Sequence, residues 1–125
     1  MKHRVLVIDD APVIRELLKD VLTDFGFQVD LAGNGLIGTQ QVEKNDYDLI
    51  FCDVHMPVLN GQETVIRIKE IKPNIPIIMT DSFPDLDAQE AQDAGAICCL
   101  NKPFDLDELR QMLKHFLNVN EIKVF

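Results

Sequence analysis

Five short apolar runs alternate with segments of helical periodicity along this chain, and few folds accommodate that order. The runs span Arg4 to Asp9, Phe27 to Leu31, Asp48 to Cys52, Ile77 to Thr80 and Ala96 to Leu100. They read as strands that are apolar on both faces, which is the signature of a buried parallel sheet. Ala11 to Phe25 follows the first run and puts Ile14, Leu17, Leu18, Val21, Leu22 and Phe25 on one helical face, with Gly26 as its stop. Asn34 to Lys44 is a weaker helix, because Gly35 and Gly38 each cost roughly 1 kcal/mol in a helix interior. Gln62 to Ile71 carries Val65, Ile68 and Ile71 on one face. Pro84 to Ala94 reads as a helix of low apolar content ended by Gly95. Leu106 to Leu117 is strongly amphipathic through Leu109, Met112, Leu113 and Phe116.

Strands alternating with helices predict an α/β chain of (βα)5 order, its parallel sheet covered on both sides. Right-handed crossovers then give a doubly wound three-layer sandwich. The 125 residues fit one domain with a core of its own, without a disulfide or metal staple. That domain is expected over residues 1–118. Residues 119–125 form a short tail, read as a helix extension, a packed arm or the start of a linker.

The net charge of −9 makes the domain a poor partner for nucleic acid, whose phosphates it would repel. Cys52, Cys98 and Cys99 lie in apolar runs without metal-ligand spacing, and read as small buried hydrophobes in a reducing compartment. The N-terminal apolar stretch is too short for a signal sequence, and no run reaches membrane-spanning length. A cytoplasmic protein that contacts no membrane is expected.

In doubly wound sheets, functional residues gather where the strands end, at the carboxyl edge. Asp9 and Asp10 follow the first run, Asp53 the third, Thr80 closes the fourth and Lys102 follows the fifth. Taken singly, each has an ordinary explanation. An acidic pair suits a helix N-terminus, a lysine is usually solvated, and a threonine commonly finishes a strand. Together, three converging carboxylates need a cation, and hard oxygen donors suit Mg²⁺. A carboxylate beside such an ion can accept a phosphoryl group as an acyl phosphate. Mg²⁺, Lys102 and the Thr80 hydroxyl would then grip its oxygens. Pro103 restricts the backbone of Lys102 and permits a cis bond that would aim the amine into the site.

The runs VLVIDD, DLIFCDVHMPVLNG, PIIMT and NKPF occur in this order and together resemble the receiver domain of bacterial two-component response regulators, across all but the tail. The resemblance implies a flavodoxin-like fold with strand order 2-1-3-4-5. It makes Asp53 the phosphoacceptor, Asp9 and Asp10 the acidic pair with Asp10 the more direct Mg²⁺ ligand, and His55 a ligand through its backbone carbonyl only. Thr80 becomes the switch hydroxyl and Lys102 the phosphate partner. The implied donor is a sensor histidine kinase or phosphotransfer protein. An output protein or domain would read the face formed by Pro84–Ala94, the fifth strand and the last helix, and a phosphorylation-dependent homodimer is a further implied arrangement. Such a chain promotes only its own phosphorylation and hydrolysis and is not a turnover enzyme. It serves either as a stand-alone phosphorelay protein or as the receiver portion of a DNA-binding regulator.

Two positions depart from the family's pattern. Asp81 stands where a small residue usually follows the switch threonine, and its charge would oppose phosphorylation unless it points away. Cys99 stands where an aromatic toggle is common, with Phe83 and Phe104 as nearby substitutes. Residues 73–101 hold no Lys or Arg but carry Asp81, Asp85, Asp87, Glu90 and Asp93. That stretch reads equally well as a solvated acidic face or as a docking face for a basic partner. Two rival classes fit less well. An aspartate-nucleophile phosphatase needs an acid two residues after its nucleophile, where this chain has His55. A flavin mononucleotide carrier needs a small-residue phosphate loop after the first strand, where this chain has DDAP.

Overall fold

A computed structural model describes residues 3–81 and 93–117. Its strands are β1 (Arg4–Ile8), β2 (Gln28–Ala32), β3 (Leu49–Asp53), β4 (Ile77–Asp81) and β5 (Cys98–Asn101). They form one parallel sheet in the order β2-β1-β3-β4-β5. The described helices are α1 (Pro12–Asp24), α2 (Gly35–Lys44), α3 (Gly61–Ile71) and α4 (Leu106–Leu117). The expected doubly wound, flavodoxin-like architecture is therefore present. The predicted helix at Pro84–Ala94 falls almost wholly outside the described residues, as does the tail.

Strand alternation divides the core in two. Leu6, Ile8, Ile50, Cys52, Ile77 and Met79 face Val42 of α2 and Val65 and Ile68 of α3. Val5, Val7, Leu49, Phe51, Ile78 and Leu100 face Leu18 and Leu22 of α1 and Leu109 and Leu113 of α4. β3 and β4 are buried at every position, as central parallel strands should be. Burying a single side chain such as Leu18 or Leu22 contributes about 1.5–3 kcal/mol.

Pro12 opens α1, where its missing N–H costs nothing. Gly26, at φ +99°, ends the turn that follows. One residue predicted for the apolar face of α1 departs from it: Leu17 is 46% exposed. The glycines that weaken α2 as a helix let it pack closely. A Cβ on Gly38 would lie 2.5 Å from Ile8 Cδ1, and one on Gly35 would collide with Thr64 Oγ1.

Two sequence expectations need correcting. β4 runs one residue past Thr80, so Asp81 belongs to the strand and pairs with Asn101. Only Cys52 is fully buried; Cys98 and Cys99 are half-buried, and β5 is an edge strand of the sheet among the described residues. All three thiols are unbridged. Burial raises the Cys52 thiol far above its ordinary range and pushes Cys98 up to about 11, which leaves both as protonated packing groups. Among the described residues, no helix is long and apolar enough to cross a membrane.

Candidate functional site

β1, β3, β4 and β5 end side by side, and their last residues form one acidic pocket. Asp9 follows β1 and is buried; Asp53 closes β3 and is buried; Thr80 lies in register with Asp53 and is buried. Asp10 is exposed at the rim. One carboxylate oxygen from each of Asp9, Asp10 and Asp53 lies within 4.8 Å of the others. The acids that the sequence scatters over two loops therefore meet.

Asp9 is held at both ends. Its Oδ1 accepts the Ala11 N–H at 2.9 Å, and its Oδ2 accepts from Lys102 Nζ at 2.7 Å. The Lys102 ammonium also reaches Asp53 Oδ1 at 3.2 Å. The peptide between Lys102 and Pro103 is cis, as the sequence suggested. The Lys102 side chain is 9% exposed, so these bonds form in a medium of low polarity.

Charge crowding shows in the titration of Asp53. Burial, reinforced by the Asp9 carboxylate, pushes the Asp53 carboxyl up to about 6, although Lys102 pulls the other way. Burial works against the Lys102 ammonium too, but its bonds and proximity to Asp9 and Asp53 raise its pKa above the ordinary value. One ammonium does not balance two buried carboxylates and a third at the rim. That deficit, with a donor set made of carboxylate oxygens, fits a small divalent cation of the Mg²⁺ type.

The β3–α3 loop is tied down around Asp53. Val54 N–H donates to the Thr80 carbonyl at 3.0 Å, and Gly61 N–H donates to the Val54 carbonyl at 2.9 Å. Asn60 caps α3 by accepting the Glu63 N–H at 2.9 Å. A Cβ on Gly61 would collide with the Asp53 carbonyl oxygen and lie 2.7 Å from Val54 Cα, so only glycine fits against the Asp53 backbone. Val58 in this loop has φ 72°, a left-handed conformation that a β-branched residue rarely adopts.

The two departures resolve differently. Asp81 Oδ1 lies 3.4 Å from Nε2 of His55, so this carboxylate reaches across to the β3–α3 loop. Cys99 packs against the α2 and α3 side of the core, whereas Phe104 packs on the α1 and α4 side. Phe104 therefore does not fill the space beside Cys99, and Phe83 lies outside the described residues.

Sequence reasoning missed two contributors. Arg15, one helical turn into α1, donates through Nη1 to the Asp9 carbonyl at 2.7 Å. Its signal was a cation in the first turns of a helix that follows an acidic pair. The second is the His55 imidazole, whose partner Asp81 lies on a different strand, 26 positions away. The clue was Asp81, an acidic residue at the end of the neighbouring strand.

The model of the response regulator receiver domain matches residues 5–114. The chain is 37% identical over 118 residues to sporulation initiation phosphotransferase F of Bacillus subtilis, covering 94% of this chain and 95% of that one. It is 36% identical over 114 residues to transcriptional regulatory protein ZraR of Klebsiella oxytoca, covering 90% of this chain but 26% of that protein. Among solved structures, it resembles response regulator protein TrrA of Thermotoga maritima, solved in complex with Mg(2+)-BeF. That similarity has a TM-score of 0.84 at 34% identity, covering 93% of this chain and 99% of that one.

Proposed function

The chain belongs to the response regulator receiver family, and from that premise we propose that Asp53 is the phosphoacceptor of a magnesium-dependent signalling switch. The observation that carries this reading is the contact of Lys102 with Asp9 and Asp53 inside a cluster of three carboxylates. A donor phosphohistidine would present its phosphorus to an Asp53 carboxylate oxygen. The new P–O bond forms as the P–N bond breaks, and the departing imidazole takes up a proton. Asp9, Asp10 and Asp53, with the backbone carbonyl of His55, would hold Mg²⁺, which would neutralise charge on the transferring group.

The chain's own residues do the rest. Lys102 supplies a second positive charge, and Thr80, level with Asp53 in the adjacent strand, supplies a hydroxyl donor. Phosphorylation adds negative charge to a pocket already short of cations. That charge draws Lys102 and Thr80 toward it and shifts β5 and α4, the face an output partner or a second copy would read. Turnover of an external substrate plays no part, and the setting is cytoplasmic.

Coverage of the Bacillus subtilis relative from end to end favours a phosphorelay role, between a histidine kinase or phosphotransfer protein and an output protein. The ZraR match, confined to a quarter of that protein, favours the receiver portion of a transcriptional regulator. Incubation with acetyl phosphate, with and without Mg²⁺, tests the common core by intact mass. One phosphoryl group is expected with Mg²⁺ only, and none in Asp53→Ala. Modification that survives Asp53→Ala would refute the assignment.

A further inference from the structure

We propose that Asp81 is a positioning residue for the magnesium loop and acts through the imidazole of His55. The inference rests on the reading of Asp53 as a magnesium-assisted acceptor. It begins with strand geometry. Successive side chains of β4 point to opposite faces, and Ile78 packs on the α1 and α4 side while Met79 packs on the α2 and α3 side. Thr80 accordingly shares the face of Asp53, which follows Phe51 by two residues. Asp81 takes the other face and is directed away from the acceptor.

A carboxylate buried at a strand end is costly unless it is paired. Asp81 has a fully buried side chain, and His55 stands 3.4 Å from it with 57% of its own side chain exposed. The second hold on this loop lies one residue earlier, where Val54 N–H donates to the Thr80 carbonyl. Thr80 and Asp81 thus grip Val54 and His55 at two adjacent points. On the far side, Gly61 N–H fixes the Val54 carbonyl. The His55 peptide, whose carbonyl faces the cation in the proposed function, is clamped by the strand that carries the switch hydroxyl. Asp81 also accepts the Lys102 N–H through its backbone carbonyl at 2.7 Å. One residue therefore links the cation loop, the hydroxyl strand and the lysine segment.

The test is Mg²⁺ binding to the unphosphorylated full chain, followed by calorimetry and amide NMR. His55→Ala should weaken binding about tenfold, the usual scale for losing a group that orients a metal ligand. The direction is diagnostic, because removing a side chain that can carry positive charge would by electrostatics alone tighten a cation. His55→Gln, which keeps an N–H donor for Asp81, should recover most of the loss. Asp81→Asn should weaken binding comparably, and the double variant no more than the worse single one, since both remove the same link. His55→Ala binding Mg²⁺ as tightly as the parent, or losses that simply add, would overturn the proposal and leave the phosphoacceptor reading intact. A parent chain that binds no Mg²⁺ would overturn both. His55 is exposed, so its two variants decide the matter even if Asp81→Asn does not fold.

Discussion

Lys102 Nζ stands 2.7 Å from Asp9 Oδ2, closer than to Asp53 Oδ1 at 3.2 Å. Before any cation or phosphoryl group arrives, the lysine compensates the Asp9 carboxylate as well as that of Asp53. Arrival of a divalent ion at Asp9 would loosen that bond and release the ammonium toward Asp53. Lys102→Met should therefore bind Mg²⁺ about tenfold more tightly, given the size of a close charge pair near a protein surface. The same variant should be phosphorylated by acetyl phosphate at least about a hundredfold more slowly, having lost a preorganised cation. Calorimetry and a mass time course read the two effects, which run in opposite directions. A variant that loses both affinity and rate would contradict this division of labour.

The raised titration of Asp53 has a cost for the fold. Its carboxyl is held up to about 6 in the folded chain against 3.8 ordinarily, so folding favours the protonated form. Between these values the folded state binds more protons than the unfolded one, and stability falls as pH rises. Asp53→Asn should leave stability unchanged near pH 4 and raise it above pH 6, by on the order of 2 kcal/mol. Urea unfolding across pH 4 to 7 checks this. Mg²⁺ should stabilise the parent and lose its effect on both sides of the comparison: in the variant, and in the parent below pH 6.

Gly61→Ala should cost about 1–3 kcal/mol, because its Cβ would meet backbone atoms of Asp53 and Val54 that cannot swing aside. The urea midpoint reads the loss, and Mg²⁺ affinity should fall with it. An unchanged midpoint would mean that β3 and α3 can separate freely.

Val58 is 79% exposed and holds φ 72°, so its side chain gains little packing to offset the strained backbone. Val58→Asn should stabilise the chain by about 1 kcal/mol, since asparagine tolerates this conformation far better. Thermal unfolding without Mg²⁺ is the check, and a lower midpoint would show that Val58 makes a contact worth more than the strain.

Strands were legible in the sequence wherever burial was two-sided. Asp48 to Cys52 and Ile77 to Thr80 stood out because a central parallel strand has no polar face to show. Their ends were less legible. Asp81 looks like a loop residue by composition, and only pairing with Asn101 makes it part of β4. The acid cluster was readable because carboxyl ends of neighbouring strands converge whatever lies between them. Strand order came from family resemblance, since the runs do not encode which neighbour each will choose. Side-chain partnerships were hidden for a similar reason. Nothing local to Lys102 reveals that Asp9, 93 positions earlier, holds it more closely than Asp53 does. Leu17 followed the helical repeat and still ended half-exposed, because a repeat marks a stripe but not the width of the surface that covers it.

Ile8 pairs with Cys52, and Asp53 with Thr80. Sliding either neighbour by a single step would displace it about 3.3 Å and reverse which way its side chains face. The carboxylates would then no longer meet in one pocket. Under the proposed function, affinity for magnesium doubles as a gauge of alignment: a misassembled sheet could be compact and helical, yet it would be blind to the metal.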